Sequence, residues 1–201
     1  YATNIILREN STEFTAHYKD EEFTFKLPMA GKHNVLNMML AIDIAKNLNV
    51  SLKDMNEGLS NLKATSMRLE TEKTNKITII NDCYNASPDS MKSSIEVLMT
   101  KAASRRVAIL GDMYELGSKT EEAHEEVGSF AKGKIDLLIV IGENVNNYEN
   151  GFGSEHIRKF ASKDDFFEEV DNLINKDDVI LVKASRGMRF EEIISKLKEL
   201  K

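Results

Sequence analysis

Cysteine occurs once in the 201 residues, at Cys83. A disulfide within the chain is therefore impossible, and a cytoplasmic setting is expected. No apolar run approaches the ~18 residues that read as a membrane span. No basic tail or Lys/Arg stripe is present, and the formal net charge is −6. That balance argues against nucleic acid as a main partner. No G-x-G-x-x-G opens a helix after an apolar run, which argues against a classical dinucleotide site. Residues 128–134 have the G-x-x-x-x-G-K spacing of a phosphate loop, but Ile135 stands where Ser or Thr is required. They also lie between a helix end and a strand start, the reverse of that loop's order. No Cys/His cluster has zinc spacing. Cys83 is a weak candidate nucleophile, because its neighbour Asp82 opposes a thiolate. The opening YATNIILREN lacks an initiating Met and a signal-peptide pattern; it reads as the start of a piece of a longer protein.

What is present points to a globular chain: 41% of residues are hydrophobic and 30% charged, enough to bury a core. Residues 4–7, 13–18 and 22–27 favour strands, with 19–21 as a hairpin tip. Pro28 and Gly31 stop this series. A helix is expected over 32–48, with Val35, Met38, Met39, Ile42, Ala45 and Leu48 as its buried stripe. A second helix is expected over 51–62, with Ser51 as N-cap.

From residue 70 onward the pattern alternates. Strands are expected at 76–80, 106–110, 137–141 and 179–182, with a further short one near 156–160. Helices are expected at 88–101, 119–131, 163–175 and 189–200. Ser87 with Pro88 at N1, Ser118 with Glu121, and Ser162 with Asp165 read as helix starts. Three apolar stripes mark buried helix faces: Met91, Ile95, Leu98 and Met99; Ala123, Val127, Phe130 and Ala131; and Ile193, Ile194, Leu197 and Leu200. Residues 144–154, rich in Asn and Gly, read as an exposed loop. The fold class is α/β, a Rossmann-like, mostly parallel sheet covered on both faces.

In such sheets ligands sit at the carboxyl ends of the strands, so the polar clusters there are the candidate site. Asp82 can accept hydrogen bonds from vicinal hydroxyls, with Asn85 beside it; equally, both can brace the turn before Pro88. Asp112 and Glu115 can hold a cation or a substrate ammonium, or serve as turn residues. Lys183, Ser185 and Arg186 precede a helix, and form either an anion site or a solvated positive end. His33, Asn34 and Asn37 open the first long helix, as a cap with solvent-facing residues or as a polar patch on a ligand. Arg68 is either a surface or interdomain charge or a phosphate ligand.

Five stretches carry a resemblance: GKHNVLN (31–37), MRLE (67–70), NDCYNASPDSM (81–91), LGDMYELG (110–117) and KASRGMRFE (183–191). Across essentially the whole chain they resemble the Mur ligase family, and most closely its members that add D-alanyl-D-alanine to UDP-N-acetylmuramoyl-tripeptide. The resemblance implies ATP and magnesium, a carboxylate activated as an acyl phosphate, and no membrane span or nucleic acid. It implies that residues 1–70 are the last part of a central ATP-binding domain and 71–201 a C-terminal Rossmann-like ligase domain. The N-terminal domain, the rest of the central one, the phosphate loop and the main magnesium ligands would lie upstream, and the isolated chain would be inactive. His33, Asn34 and Asn37 would lie by the adenine, and Arg68 and Asp82 by the ribose and phosphates. Asn85, Ser87, Asp112, Glu115, Lys183, Ser185 and Arg186 would line the dipeptide side. Ser66 and Ala184 replace glycines usual in the family. Other readings are a different Mur or folylpolyglutamate-type ligase, or a non-catalytic nucleotide- or peptide-binding module. LGDMYELG argues against the first; the missing phosphate loop favours the second.

Overall fold

A computed structural model describes residues 1–8, 10–62, 67–153 and 155–200. Ser66, one of the two departures from the family pattern, lies outside them. The chain divides into two compact units, Tyr1–Thr65 and Ser66–Lys201.

The first unit is a three-stranded antiparallel sheet with helices on one face. Strands β1 (Ala2–Leu7), β2 (Thr12–Tyr18) and β3 (Glu21–Leu27) lie in that order. A two-residue turn joins β2 to β3, with Lys19 in the left-handed region at φ 53°. Alternation along β2 and β3 sends Phe14, Ala16, Phe25 and Leu27 to one face, all of them buried. Val35 and Ile42 of α1 (Lys32–Asn47) and Leu52 of α2 (Leu52–Gly58) complete that core. Ser51 caps α2 by accepting a hydrogen bond from the Asp54 amide. The expected stripe on α1 holds at Val35 and Ile42, with Met38 and Met39 half-buried against them. It fails at Leu48, which is 72% exposed. A period of 3.6 carries position 48 to the far side of the helix from position 35.

The second unit is a six-stranded mixed sheet. Its elements are β4 (Glu70–Lys73), β5 (Thr78–Asn81), α3 (Pro88–Thr100), β6 (Arg105–Gly111), α4 (Thr120–Ala131), β7 (Leu137–Ile141), α5 (Val145–Phe152), β8 (Ile157–Phe160), α6 (Lys163–Leu173), β9 (Asp178–Lys183) and α7 (Glu191–Lys198). The strand order is β4-β5-β9-β6-β7-β8; β4 is antiparallel to β5 and every other pair is parallel. Successive strand residues alternate between two cores. Val107, Ile109, Ile180 and Val182 face α6 and α7, where Phe166, Val170, Ile193 and Leu197 meet them. Ala108, Leu110, Val179 and Leu181 face α3, α4 and α5, where Met91, Ile95, Val127 and Tyr148 lie. Both faces are covered, as a parallel sheet requires.

In the second unit, sequence and structure part in four places. Residues 145–152 are helix α5, not an exposed loop: Tyr148 and Phe152, one turn apart, are buried, and Gly153 closes the helix at φ 55°. The Asn- and Gly-rich composition masks this apolar seam. Strand β4 was not expected, because the sequence ETEK has no apolar alternation; it lies on the sheet's edge. Ser118 does not cap α4. A 3-10 turn over Gly117–Lys119, entered with Gly117 at φ 57°, carries Ser118 and delays the helix to Thr120. Met99 is 38% exposed although Met91, Ile95 and Leu98 are buried. The boxes at Ser87/Ser90 and Ser162/Asp165 are formed.

The phosphate-loop imitation at Gly128 also finds its physical reason. A Cβ at Gly128 would collide with the Tyr148 carbonyl oxygen, and one at Gly151 with that of Glu125. The two glycines let α4 and α5 touch backbone to backbone. Gly151→Ala is therefore expected to destabilise the second unit by about 1–3 kcal/mol, the range for overpacking a tight contact. Urea unfolding of the chain followed by tyrosine fluorescence measures it.

Candidate functional site at the carboxyl ends of the central strands

The connections decide where the sheet opens. The loops after β5 and β6 lead to α3 and α4 on one face, whereas the loop after β9, between them, leads to α7 on the other. Loops that diverge this way leave crevices at the carboxyl ends on both sides of β9.

The floor of this region is a buried charged cluster. Lys183, the last residue of β9, is 3% exposed. Its Nζ donates to Asp82 Oδ2 at 2.6 Å and to the Asn85 carbonyl at 2.8 Å. Asp82, 7% exposed, also accepts from Ser94 Oγ at 2.6 Å and from the Leu69 amide at 3.2 Å. The cluster thus ties the end of β9 to the turn after β5, to helix α3 and to the segment before β4. In that segment Met67 and Leu69 both lie in the left-handed region, at φ 60° and 51°. Three bonds hold this uncommon backbone: Leu69 N–H to Asp82, Met67 N–H to Glu70 Oε2 at 3.3 Å, and Tyr84 N–H to the Met67 carbonyl at 3.1 Å. Arg68, between them, is exposed and lies over the Tyr84 ring, 4.2 Å from its centroid.

A second knot joins the loops after β6, β7 and β9. Asp112, 3% exposed, accepts from the amides of Glu143 (2.9 Å) and Asn144 (3.0 Å) and from the Asn144 side chain (3.1 Å). Its carbonyl accepts from the Ser185 amide at 3.1 Å, and Ser185 Oγ accepts from the Tyr114 amide at 2.8 Å. His124, fully buried, accepts the Met113 N–H at Nε2 (2.9 Å) and donates from Nδ1 to the Thr120 carbonyl at 2.6 Å. Burial lowers its pKa, against the opposing pulls of that hydrogen bond and of Asp112, so the ring is neutral and fixed as the Nδ1–H tautomer. Burial likewise raises the Tyr148 hydroxyl well above its ordinary range; it donates to the Gly111 carbonyl at 2.8 Å. Cys83, 1% exposed, is pushed up to about 12, chiefly by burial and then by Asp82. It is a core thiol.

The rim is exposed. Arg186 points its guanidinium at Glu191 (3.2 Å) and Met67 Sδ (3.4 Å), with half of its side chain open to solvent. Tyr114, 49% exposed, sits against Gly187, where an added Cβ would come within 2.9 Å of its ring. Burial and the neighbouring Asp112 and Glu143 raise its hydroxyl above the ordinary range. Glu115, next to it in sequence with φ 64°, is exposed, and so is Asn85 in the turn after β5. Ser87 spends its hydroxyl on the N-terminus of α3. In the first unit, Asn34 donates to the Ala30 carbonyl at 2.8 Å, His33 is half-buried and Asn37 is exposed, all in the first two turns of α1.

Of the residues singled out from sequence, Asp82, Asp112, Lys183 and Ser185 thus form the floor, and Asn85, Glu115 and Arg186 the exposed loops above it. Lys183 is not a solvated charge: Asp82 holds it. Tyr84, Ser94, Tyr114 and Tyr148 were not singled out; a tyrosine beside a strand-end Asp or Gly was the available signal. Among the described residues, no group of three or more His, Cys, Asp or Glu side chains is placed to hold a metal ion.

A family model, "Mur ligase, glutamate ligase domain", matches residues 67–186. The chain belongs to the Mur ligase family. It is 40% identical over 198 residues to the UDP-N-acetylmuramoyl-tripeptide--D-alanyl-D-alanine ligase of Bacillus subtilis, covering 95% of this chain and 43% of that protein. The Escherichia coli enzyme of the same name is 34% identical over 203 residues, covering 98% and 44%. A crystal structure of MurF from Acinetobacter baumannii superposes with a TM-score of 0.91 at 29% identity, over 98% of this chain and 44% of that one. The MurF ligase of Thermotoga maritima, solved in complex with ADP, gives 0.81 at 25%, over 98% and 45%. The chain thus spans less than half the length of these relatives and corresponds to their C-terminal portion. No helix among the described residues is long and apolar enough to cross a membrane.

Lys183→Met removes the only cation paired with buried Asp82 among the described residues. Breaking such a pair from one side costs about 3–5 kcal/mol. The double variant Lys183→Met/Asp82→Asn is expected to recover part of that loss, because no unpaired charge remains. Chemical denaturation of the three proteins measures both effects.

Proposed function

We propose that the chain is the dipeptide-binding part of an ATP-dependent ligase that joins D-alanyl-D-alanine to UDP-N-acetylmuramoyl-tripeptide in the cytoplasm, in peptidoglycan precursor synthesis. The observation that carries this reading is Arg186. It is an exposed guanidinium on the loop after β9, which Ser185 pins to the loop that holds Asp112 and Tyr114. The 40% identity to a ligase of that name supports this choice of substrate. A guanidinium binds a carboxylate through two parallel hydrogen bonds, so Arg186 takes the C-terminal carboxylate of the dipeptide. Glu115, in the loop after β6, and Asn85, in the turn after β5, supply acceptors for its ammonium and amide.

Residues 71–201 are read as the C-terminal ligase domain and 1–70 as the last part of the central ATP-binding domain. His33, Asn34 and Asn37 are assigned to the adenine, and Arg68 to a phosphate or the ribose. Arg68 suits that task because its stacking on Tyr84 aims the guanidinium before any ligand arrives, which lowers the entropy cost of binding. Asp82 is assigned to the same nucleotide with its carboxylate already engaged by Leu69, Ser94 and Lys183. ATP supplies the activation of the tripeptide carboxylate as an acyl phosphate. The magnesium ligands and the phosphate loop are assigned to polypeptide outside these residues, so no catalytic residue is named in this chain. The part played here is to hold and orient the attacking amine, which converts a bimolecular step into a positioned one.

The test is a phosphate-release assay on the full-length protein with ATP, the UDP-tripeptide and D-alanyl-D-alanine. Arg186→Ala is expected to raise KM for the dipeptide at least about tenfold, with a smaller change in kcat, as loss of a binding contact does. The 201-residue chain alone is expected to release no phosphate. Turnover with glutamate but not with the dipeptide would contradict the reading.

A further inference from the structure

The backbone that leads to Tyr114 is held at every step. The Gly111 carbonyl accepts from the Tyr148 hydroxyl, and the Asp112 amide donates to Met188 Sδ at 2.8 Å. The Asp112 carbonyl accepts from the Ser185 amide, the Met113 amide donates to His124, and the Tyr114 amide donates to Ser185 Oγ. His124 and Tyr148 also brace each other, ring edge to ring face, with centroids 5.0 Å apart. The first side chain beyond this fixed stretch is a large aromatic ring, half of it in water. An aromatic ring has few rotatable bonds, so a ring on a fixed backbone is a rigid surface.

Gly187 shows where that ring is kept. It lies in the 3-10 turn Arg186–Met188 and not in the left-handed region, so its backbone does not require glycine. Glycine is unfavourable in a helical turn. What a side chain would meet there is the ring: a Cβ at residue 187 would stand 2.9 Å from Tyr114 Cε2. The missing side chain therefore seats the Tyr114 ring against the residue that follows Arg186. The inference rests on the reading of Arg186 as the partner of the dipeptide carboxylate. In a dipeptide, the side chain of the C-terminal residue branches from the carbon that bears that carboxylate, so it lies one residue's reach from the guanidinium. We propose that Tyr114 is a specificity-determining residue: its ring, seated on Gly187, is the wall that meets the side chain of the C-terminal residue and limits it to a methyl group. The ring face makes van der Waals contact with a methyl and leaves no room for a branched chain, because neither the held backbone nor the seated ring can retreat.

The test is phosphate release by the full-length protein with D-alanyl-D-alanine and with D-alanyl-D-valine, read as the ratio of kcat/KM. The wild type is expected to favour the first by at least about tenfold, as a pocket that discriminates by size does. Tyr114→Ala is expected to shift that ratio toward the valine dipeptide by at least about tenfold, and Tyr114→Phe to keep it, because the ring and not the hydroxyl is the wall. Half-exposed Tyr114 leaves the fold intact when truncated, which an unchanged melting temperature checks. Gly187→Ala gives an independent readout. It displaces the ring and is expected to lower kcat/KM for D-alanyl-D-alanine, but to change it less than about twofold in the Tyr114→Ala background, where the ring is gone. A wild type that does not discriminate, or a Tyr114→Ala protein that loses both substrates equally, would overturn the proposal while a raised KM in Arg186→Ala leaves the dipeptide reading standing. An unchanged KM in Arg186→Ala would overturn both.

Discussion

The architecture of the candidate site depends on one buried ion pair, Lys183 with Asp82. Taking both charges out of water is costly, and a buried pair is weak support for stability in itself. Its effect here is positional. Lys183 ends the central strand β9, and Asp82 opens the turn after its neighbour β5. Their 2.6 Å contact fixes where the polar turn lies relative to the sheet. The second oxygen of the same carboxylate holds the Leu69 amide, and so holds the two left-handed residues that flank Arg68. One carboxylate therefore sets three things: the turn, the approach of the segment before β4, and the direction of an exposed arginine.

Around that pair the site is built by buried donors and acceptors that cannot drift. Asp112 draws in the amides of the loop after β7, Ser185 exchanges bonds with the loop after β6, and neutral His124 holds the Met113 amide. Burial keeps His124 uncharged and Cys83 and Tyr148 protonated. A floor so saturated has little capacity left for new partners. At these strand ends, and apart from Asp82, ligand contacts are assigned to side chains on the rim: Arg186, Tyr114, Glu115, Asn85 and Arg68. This division of labour is that of a preorganised site, in which rigid loops present a few mobile groups.

Much of this was legible in the sequence, for physical reasons that differ from element to element. Strand β7 was placed at its true limits because LLIVI is an apolar run with polar ends, the mark of a strand buried on both faces. Helices α3 and α6 began where Ser87-Pro88 and Ser162 said they would, because capping is a local interaction. Helix α5 was missed because its signal is two aromatic residues one turn apart among asparagines, and its partner, Gly128, is distant in sequence. Strand β4 was missed because an edge strand can be polar. At the site, the sequence located the strand ends. It did not separate floor from rim, since Lys183 and Arg186 look alike until the sheet brings Asp82 beside one of them.

The central claim, that the loops after β6 and β9 hold the dipeptide, is tested most directly by an amide-resolved NMR titration of this chain with D-alanyl-D-alanine. The account predicts shifts confined to the amides of residues 84–86, 112–116 and 184–188, with the Arg186 side chain among them, and none in a titration with L-alanyl-L-alanine at the same concentrations. A folded sample in which those amides stay unmoved while others shift would contradict it.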